Sequence, residues 1–373
     1  MKRMTPVLAV ALILACVAAC DSGNSGNPDN SGDFDSARLY LAAQPNITPV
    51  VTPRNDAIVW GAAPVIDPHY GGVLYEGTLR QIDDDPRPPL LPGNLEPLRV
   101  WVADPDNGVE NRPAIIWFHG GGFSFGINSM HHSAEDIGAY YAERGYVGFS
   151  AEYRINTTVV HETEDDGVHA VSLCQWVQDN RNPGDPLWIQ RKNQCLGNIT
   201  AALHDALAMV RWLRQHADEF DVDPNRIVVA GFSAGAMIAA NVAYHGDDVG
   251  NVAYWPDDTI SIAASRPQAV IGASGCTYRN YEIDAGDVDV SFIASRGDKS
   301  VPYSCTARTI IAARNARLVA ELTSYCEGSR HASELYEAHR DATDKQWTTF
   351  MVRELGIYDD VRPPSSAPIC HAN

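Results

Sequence analysis

The sequence feature that most constrains the fold is the pentapeptide Gly-Phe-Ser-Ala-Gly at residues 231–235. The apolar run Ile-Val-Val-Ala at 227–230 predicts a buried strand before it, and the small residues at 236–240 are compatible with a helix after it. Glycines two residues to either side of Ser233 let crowded backbones pass at a tight turn. This context predicts a strand–turn–helix unit that presents the Ser233 hydroxyl above a sheet.

A second glycine-rich motif, His-Gly-Gly-Gly-Phe at residues 119–123, follows the strand-like run Ala-Ile-Ile-Trp-Phe at 114–118. Consecutive glycines let a backbone approach a ligand closely with its N–H groups unobstructed. A serine that attacks an acyl group needs such donors, because negative charge develops on the carbonyl oxygen. The alternative is a glycine-rich turn without a chemical role, and the serine turn in the same chain disfavours it.

The two motifs resemble those of the α/β-hydrolase superfamily, specifically bacterial esterases and carboxylesterases related to hormone-sensitive lipase. The resemblance covers most of residues 73–355, and it includes a strand-like segment at 146–154 that ends in Tyr-Arg and the entry Asp-Pro-Asn-Arg-Ile at 223–227. It implies an α/β fold with a mostly parallel, doubly wound sheet, antiparallel N-terminal strands and a lid-like insertion. No metal or organic cofactor is implied.

The resemblance also implies roles for individual residues. Ser233 matches the nucleophile, and the backbone N–H groups of Gly121, Gly122 and Ala234 match an oxyanion hole. The same match gives His119 a structural role.

A serine nucleophile needs a histidine that takes its proton and a carboxylate that orients the histidine, and in this fold they follow the serine in the order acid, histidine. Asp298 follows the predicted strand 290–294 in a turn that resembles the Gly-x-x-Asp-x-x-Val-Pro turn of the family, although its glycine directly precedes the aspartate. His331 follows the predicted strand 322–326, where the family places its histidine, and His339 is the alternative. Three histidines that precede the serine are interpreted as surface or packing residues: His131, His132 and His204.

Alternating strand-like and helix-like segments predict a parallel sheet with helices on its faces. The predicted strands are 73–81, 98–103, 114–118, 146–153, 226–230, 269–273, 290–294 and 322–326, and the predicted helices are 134–144, 203–216, 305–320 and 344–355.

A long polar insertion at about 156–200 interrupts this alternation. Loops of this length are usually functional or disordered. We expect a lid or a wall of the substrate pocket, pinned by a disulfide, rather than a plain surface elaboration. Its acidic stretch 161–166 is interpreted as a solvated loop, because it lacks the spacing of a calcium-binding loop.

The N-terminus has the pattern of an export signal, with Lys2 and Arg3 before an apolar run at 7–19. Val-Ala-Ala-Cys at 17–20 resembles a bacterial lipobox, which implies that Cys20 is lipidated and that the protein is anchored outside the cytoplasm, on the periplasmic side or the cell surface. Ordinary secretion with an unmodified Cys20 is the alternative. Residues 21–33 are predicted to be a flexible tether, and 34–373 the catalytic domain.

Six of the eight cysteines lie in the predicted mature domain, which agrees with an oxidising compartment. Six cysteines allow 15 connectivities, and proximity in the chain favours three pairs. These pairs are Cys174–Cys195, Cys276–Cys305 and Cys326–Cys370. No Cys-x-x-Cys pair or His-Glu-x-x-His motif occurs, so we predict no metal site.

The predicted function is an exported serine hydrolase that cleaves carboxylic esters, in small molecules or polymers, through an acyl-enzyme. A serine peptidase or amidase with the same triad is the alternative, although no propeller-like repeat precedes the catalytic region. A non-catalytic surface-binding module is disfavoured, because all three triad members can be assigned. The net charge of −19 disfavours nucleic acid as a partner. These patterns specify neither the ester nor the oligomeric state.

Overall fold

The computed structural model describes residues 40–64, 95–123, 130–154, 188–244, 265–277, 280–326, 328–357 and 369–371. Ten strands of this part of the chain form one mixed sheet. They are β1 (Val50–Val51), β2 (Ile58–Pro64), β3 (Leu95–Asp104), β4 (Arg112–Phe118), β5 (Val147–Ala151), β6 (Val222–Phe232), β7 (Ala269–Ala273), β8 (Val290–Ser295), β9 (Ala320–Tyr325) and β10 (Ile369–His371).

The strand order is β1-β3-β5-β4-β6-β7-β8-β9-β10, and β2 also pairs with β3. Strands β1, β2 and β5 run antiparallel to β3. Every pair from β5 to β10 is parallel. The predicted mostly parallel sheet with antiparallel N-terminal strands is therefore confirmed.

The helices are α1 (Met130–Ser133), α2 (Ala139–Ala142), α3 (Trp188–Gln215), α4 (Ala234–Tyr244), α5 (Tyr303–Asn315), α6 (Ser333–Ala338) and α7 (Arg340–Glu354). A π-helical turn at Ala134–Gly138 joins α1 to α2, and short 3-10 turns lie at Arg54–Asp56, Ala217–Phe220 and Asn280–Glu282. None of the described helices combines the length and the apolar composition needed to cross a membrane.

The sheet is covered on both faces, as the side chains of β4 show. All seven residues of β4 are buried. Ile116 and Phe118 belong to an apolar cluster with residues of α3, α4 and α5, whereas Ile115 and Trp117 belong to a cluster with residues of α2, α6 and α7. Successive residues of a strand point to opposite faces, so a continuously apolar strand is expected where helices cover both sides.

The structure differs from the sequence-based prediction in the helix before β6. Helix α3 begins at Trp188 instead of Leu203, so the end of the predicted 156–200 insertion is helical. Its first turns are rich in Gln, Arg, Lys and Asn, and this polar composition resembled that of a loop. The remainder of the insertion lies outside the described residues, and so does the predicted strand 73–81.

Two further differences concern short segments. Helix α5 ends at Asn315, before the predicted end at 320, because Arg317 adopts a left-handed φ of 71° that stops the helix. Ala320 instead begins β9. Helices α1 and α6 and strands β1, β2 and β10 were not predicted from the sequence, and all of them except β2 are short.

Candidate active site

Ser233 lies on the turn between β6 and α4, as the pentapeptide predicts. Its φ is 55°, in the left-handed region that costs a non-glycine residue roughly 1–2 kcal/mol. A Cβ added to Gly235 would lie 2.0 Å from the Phe118 carbonyl oxygen, and one added to Gly231 would lie 2.4 Å from the carbonyl carbon of Gly235. Both positions therefore require glycine, because a side chain at either one would prevent α4 from packing this close to the sheet.

Helix α4 begins at Ala234, directly after Ser233. Every residue of this helix is buried, so its direction is held by packing on all sides. The N–H groups of a helix N-terminus carry partial positive charge. Negative charge that develops beside Ser233 is stabilised by this placement.

His331 contacts both other members of the predicted triad. Its Nε2 lies 2.8 Å from the Ser233 Oγ, and its Nδ1 lies 2.7 Å from the Asp298 Oδ2. An ionised carboxylate only accepts hydrogen bonds, so Nδ1 carries the proton and Nε2 is left to accept the proton of the serine hydroxyl. About a quarter (24%) of the His331 side chain is exposed, against 1% for Asp298.

Asp298 lies in the loop between β8 and α5. Its Oδ1 accepts hydrogen bonds from the backbone N–H groups of Ser300 at 2.7 Å and Val301 at 3.0 Å. Burial alone would raise the pKa of Asp298, but hydrogen bonds to His331, Ser274 and Ser300 outweigh burial and lower it. The carboxylate is thus ionised at neutral pH and oriented toward the histidine.

The other candidate histidines lie elsewhere. The ring of His339 stacks on that of Tyr325 with centroids 3.8 Å apart, directly before α7. His132 is exposed, with Nδ1 3.1 Å from Glu135, and His204 is half-buried on α3. The His131 side chain lies outside the described residues. The structure therefore places His331, and not His339, beside Ser233.

The glycine motif of residues 119–123 passes directly against the serine turn. A Cβ on Gly120 would lie 3.4 Å from the Ser233 Cβ. Gly121 and Gly122 have φ values of 114° and 59°, a backbone conformation that favours glycine. The motif thus brings successive peptide groups to the edge of the site.

The buried side chain of His119 supports the backbone of this motif. It is 2% exposed and stacks on Tyr153 with ring centroids 4.1 Å apart. Its Nδ1 lies 2.6 Å from the Gly120 oxygen, and the Tyr153 hydroxyl donates to the His119 oxygen at 2.9 Å. Burial lowers the pKa of His119 to about 4, against a smaller opposing effect of the Gly120 hydrogen bond, so the ring is neutral.

Sequence reasoning missed Ser274, which follows β7 at the same edge of the sheet. Its hydroxyl accepts the N–H of Ala332 at 3.0 Å, and it contributes to the lowered pKa of Asp298. The signal that could have indicated it is a polar Ser-Gly pair directly after a buried strand.

The disulfide Cys276–Cys305 is present, which confirms that predicted pair. Cys326 is also disulfide-bonded. The backbone of Cys370, its predicted partner, pairs with β9, but its side chain lies outside the described residues, as do those of Cys174 and Cys195. Within the described part of the chain, no group of three or more His, Cys, Asp or Glu residues is arranged to hold a metal ion.

The sheet order and the serine turn are those of the α/β-hydrolase fold. A family model described as "alpha/beta hydrolase fold" matches residues 197–275. Among solved structures, the chain is similar to esterase 2 of Thermogutta terrifontis phosphonylated by sarin, with a TM-score of 0.51, 21% identity, and coverage of 74% of this chain and 99% of that one.

Curated relatives include enzymes named for ester hydrolysis. Carboxylesterase NlhH of Mycobacterium tuberculosis is 28% identical over 56% of this chain and 54% of its own length. Esterase LipI of the same organism is 26% identical, over 47% and 46% respectively. Phenmedipham hydrolase of Pseudarthrobacter oxydans is 27% identical, over 40% of this chain but 23% of its own length. The chain thus matches about half or less of the length of each relative. The family model and these relatives confirm the predicted relationship to α/β-hydrolase carboxylesterases.

Proposed function

We propose that this protein is a serine hydrolase that cleaves carboxylic esters through an acyl-enzyme. The observation that carries the proposal is the position of His331, with one ring nitrogen on Ser233 and the other on Asp298. Both contacts are within the range of 2.6–3.2 Å that proton transfer between heavy atoms needs. The relatives named as carboxylesterases and esterases support ester substrates.

In the acylation step, the Ser233 Oγ attacks the ester carbonyl carbon and its proton passes to the His331 Nε2. The negative charge of Asp298 stabilises the resulting imidazolium. The tetrahedral intermediate collapses, the bond to the alcohol oxygen breaks, and that oxygen takes the proton from His331. A water molecule, deprotonated by His331, then releases the acid and restores Ser233.

The oxyanion of the intermediate needs N–H donors close to Ser233. We assign this role to Gly121, Gly122 and Ala234. Ala234 is supported by its position as the first residue of α4, where the helix dipole adds positive charge. The two glycines are supported by their left-handed backbones and by the close approach of Gly120 to the serine.

Substitution of Ser233 by alanine tests the mechanism. It deletes one hydroxyl and leaves the fold intact, so ester hydrolysis should be lost without a change in the melting temperature. Ser150→Ala is the matched control, because the buried Ser150 hydroxyl has no hydrogen-bond partner among the described residues. Substantial ester hydrolysis by purified Ser233→Ala would contradict the proposal.

A substrate panel should vary acyl length and aromatic content and should include a peptide. Hydrolysis of the peptide alone would establish the amidase alternative. Paraoxon phosphorylates the Thermogutta terrifontis esterase 2, so it is a suitable probe of the nucleophile. We expect mass spectrometry to find the label on Ser233 alone.

We also propose that the protein is exported and anchored by a lipid on Cys20. The charged, apolar and lipobox-like segments of residues 1–20 support this location, and so does the disulfide Cys276–Cys305. In a bacterial host that processes lipoproteins, Cys20→Ser should yield unprocessed or soluble protein. Mass spectrometry of a mature N-terminus that starts elsewhere and carries no lipid would indicate ordinary secretion.

A further inference from the structure

The residues that follow β7, Ser274 to Thr277, lie beside all three members of the triad. We call this segment the β7 exit. None of its residues attacks, protonates or deprotonates substrate in the mechanism above. Each of the four residues nevertheless contacts an element next to Ser233, Asp298 or His331. A different backbone or side-chain group makes each of these contacts.

The first set of contacts holds the nucleophile. The N–H of Ser233 donates to the carbonyl oxygen of Ala273, the last residue of β7, at 3.0 Å. Gly275 packs against α4 so closely that a Cβ there would lie 2.5 Å from the Ala236 Cβ. The Thr277 hydroxyl donates to the Asn241 side chain in α4 at 2.8 Å. The β7 exit is thereby fixed to both ends of the nucleophile helix.

The second set holds the histidine loop. The fully buried Ser274 hydroxyl accepts the N–H of Ala332 at 3.0 Å, one residue after His331. The Ser274 hydroxyl also helps to lower the pKa of Asp298. A serine hydroxyl has one donor and two acceptor positions, so the bond from Ala332 leaves its own proton available.

The third set ties the β7 exit to the element behind the acid. Cys276 is disulfide-bonded to Cys305 in α5, the helix that follows the Asp298 loop. In addition, the N–H of Thr277 donates to the Thr309 hydroxyl of α5 at 3.1 Å. The Asp298 loop is therefore held between β8 and a helix that is linked covalently to the β7 exit.

Ser274 occupies an unfavourable backbone conformation to make these contacts. Its φ is 56°, and its N–H donates to the Ile293 oxygen of β8 at 3.0 Å. Residues in strained conformations persist only where their surroundings over-determine them. In this conformation the Ser274 hydroxyl reaches the backbone of the loop that carries His331.

We propose that the β7 exit positions the triad, and that Ser274 is the positioning residue that holds the loop of His331 in place. The inference rests on the proposed serine-hydrolase function. Positioning matters because a displacement of about 1 Å between reacting groups can cost on the order of a hundredfold in rate. His331 is partly exposed on a loop, so its hydrogen bonds and those of Ala332 determine where its ring lies.

The test compares Ser274→Ala and Ser274→Gly with the parent. Glycine adopts positive φ readily, so Ser274→Gly removes the hydroxyl while relieving backbone strain and keeps the protein folded if alanine does not. We expect kcat to fall about tenfold to a hundredfold in both variants with little change in KM, because the Ala332 N–H beside His331 loses its buried hydrogen-bond acceptor.

Ser324→Ala is the control. Ser324 is equally buried in β9, but its hydroxyl contacts Tyr303 and not the triad. We expect its kcat to equal that of the parent. Unchanged kcat in a folded Ser274→Gly, or an equal loss in Ser324→Ala, would overturn the inference.

A spectroscopic measurement separates this inference from the proposed function. The Nδ1 proton that His331 shares with Asp298 should give a low-field proton resonance in the parent. We expect it to shift or broaden in both Ser274 variants and to stay in place in Ser324→Ala. Absence of ester hydrolysis by the parent would refute the proposed function. An unchanged resonance in the Ser274 variants would refute the positioning role, whether or not the parent hydrolyses esters.

Discussion

Replacement of His331 by alanine probes the arrangement most directly. The structure gives the Ser233 hydroxyl one imidazole partner at 2.8 Å, and the variant leaves its proton without that acceptor. Because triad members act as a unit, the remaining rate comes from binding and oxyanion stabilisation alone. We therefore expect kcat to fall about 10⁴- to 10⁶-fold, which corresponds to roughly 5–8 kcal/mol in the activation barrier.

His339→Ala is the matched control, since it makes the same chemical change on a nearby element. The His339 ring stacks on Tyr325, and His339 lies directly before α7. Loss of such a stacked pair costs about 0.5–1.5 kcal/mol beyond the buried area. We thus expect a lower melting temperature for His339→Ala with kcat close to that of the parent.

The assay measures kcat of both variants at neutral pH with one soluble ester, together with thermal unfolding followed by circular dichroism. A large loss of kcat in His339→Ala alone would reverse the assignment of the base. Near-parental kcat in a folded His331→Ala would refute the triad itself.

Three further outcomes follow from packing and charge. Gly235→Ala should unfold at markedly lower temperature, because its Cβ would meet the Phe118 oxygen at 2.0 Å; circular dichroism measures this. Burial, with Glu354 adding to it, raises the pKa of Asp289 to about 7. The folded protein thus favours the protonated carboxyl, so the stability that Asp289 contributes is fully present below its unfolded pKa of about 4 and is lost as pH rises through 7. Melting temperatures measured from pH 4 to 8 should therefore decline less steeply in Asp289→Asn than in the parent. Replacing Cys276 and Cys305 by serine should lower the free energy of unfolding in urea by about 3–4 kcal/mol; an unchanged value would contradict a stabilising role for this bridge.

The sequence was most informative where the geometry is local. The turn at Ser233 depends on residues within two positions of it, and a pentapeptide contains them all. Asp298 and His331 were located because the family resemblance places the acid and the histidine in loops after buried strands, and apolar runs mark such strands well. The start of α3 was missed for the opposite reason. Its first turns are polar, and composition without a continuous apolar stripe does not separate a polar helix from a loop.

Ser274 escaped prediction because its contacts are distant in the chain. The hydrogen bond from Ala332 spans 58 residues, and no periodicity or spacing signals such a pair. The sheet order supplies the missing information. Strand β7 lies between β6, which precedes Ser233, and β8, which precedes Asp298, while β9 precedes the loop of His331. All four strands are parallel, so their carboxyl ends meet at one edge. The residue that follows β7 must then lie between Ser233 and Asp298, and a buried polar residue there needs hydrogen-bond partners. In this topology the loops of the site are the nearest source of partners, which explains why the Ser274 hydroxyl accepts a hydrogen bond from the loop of His331.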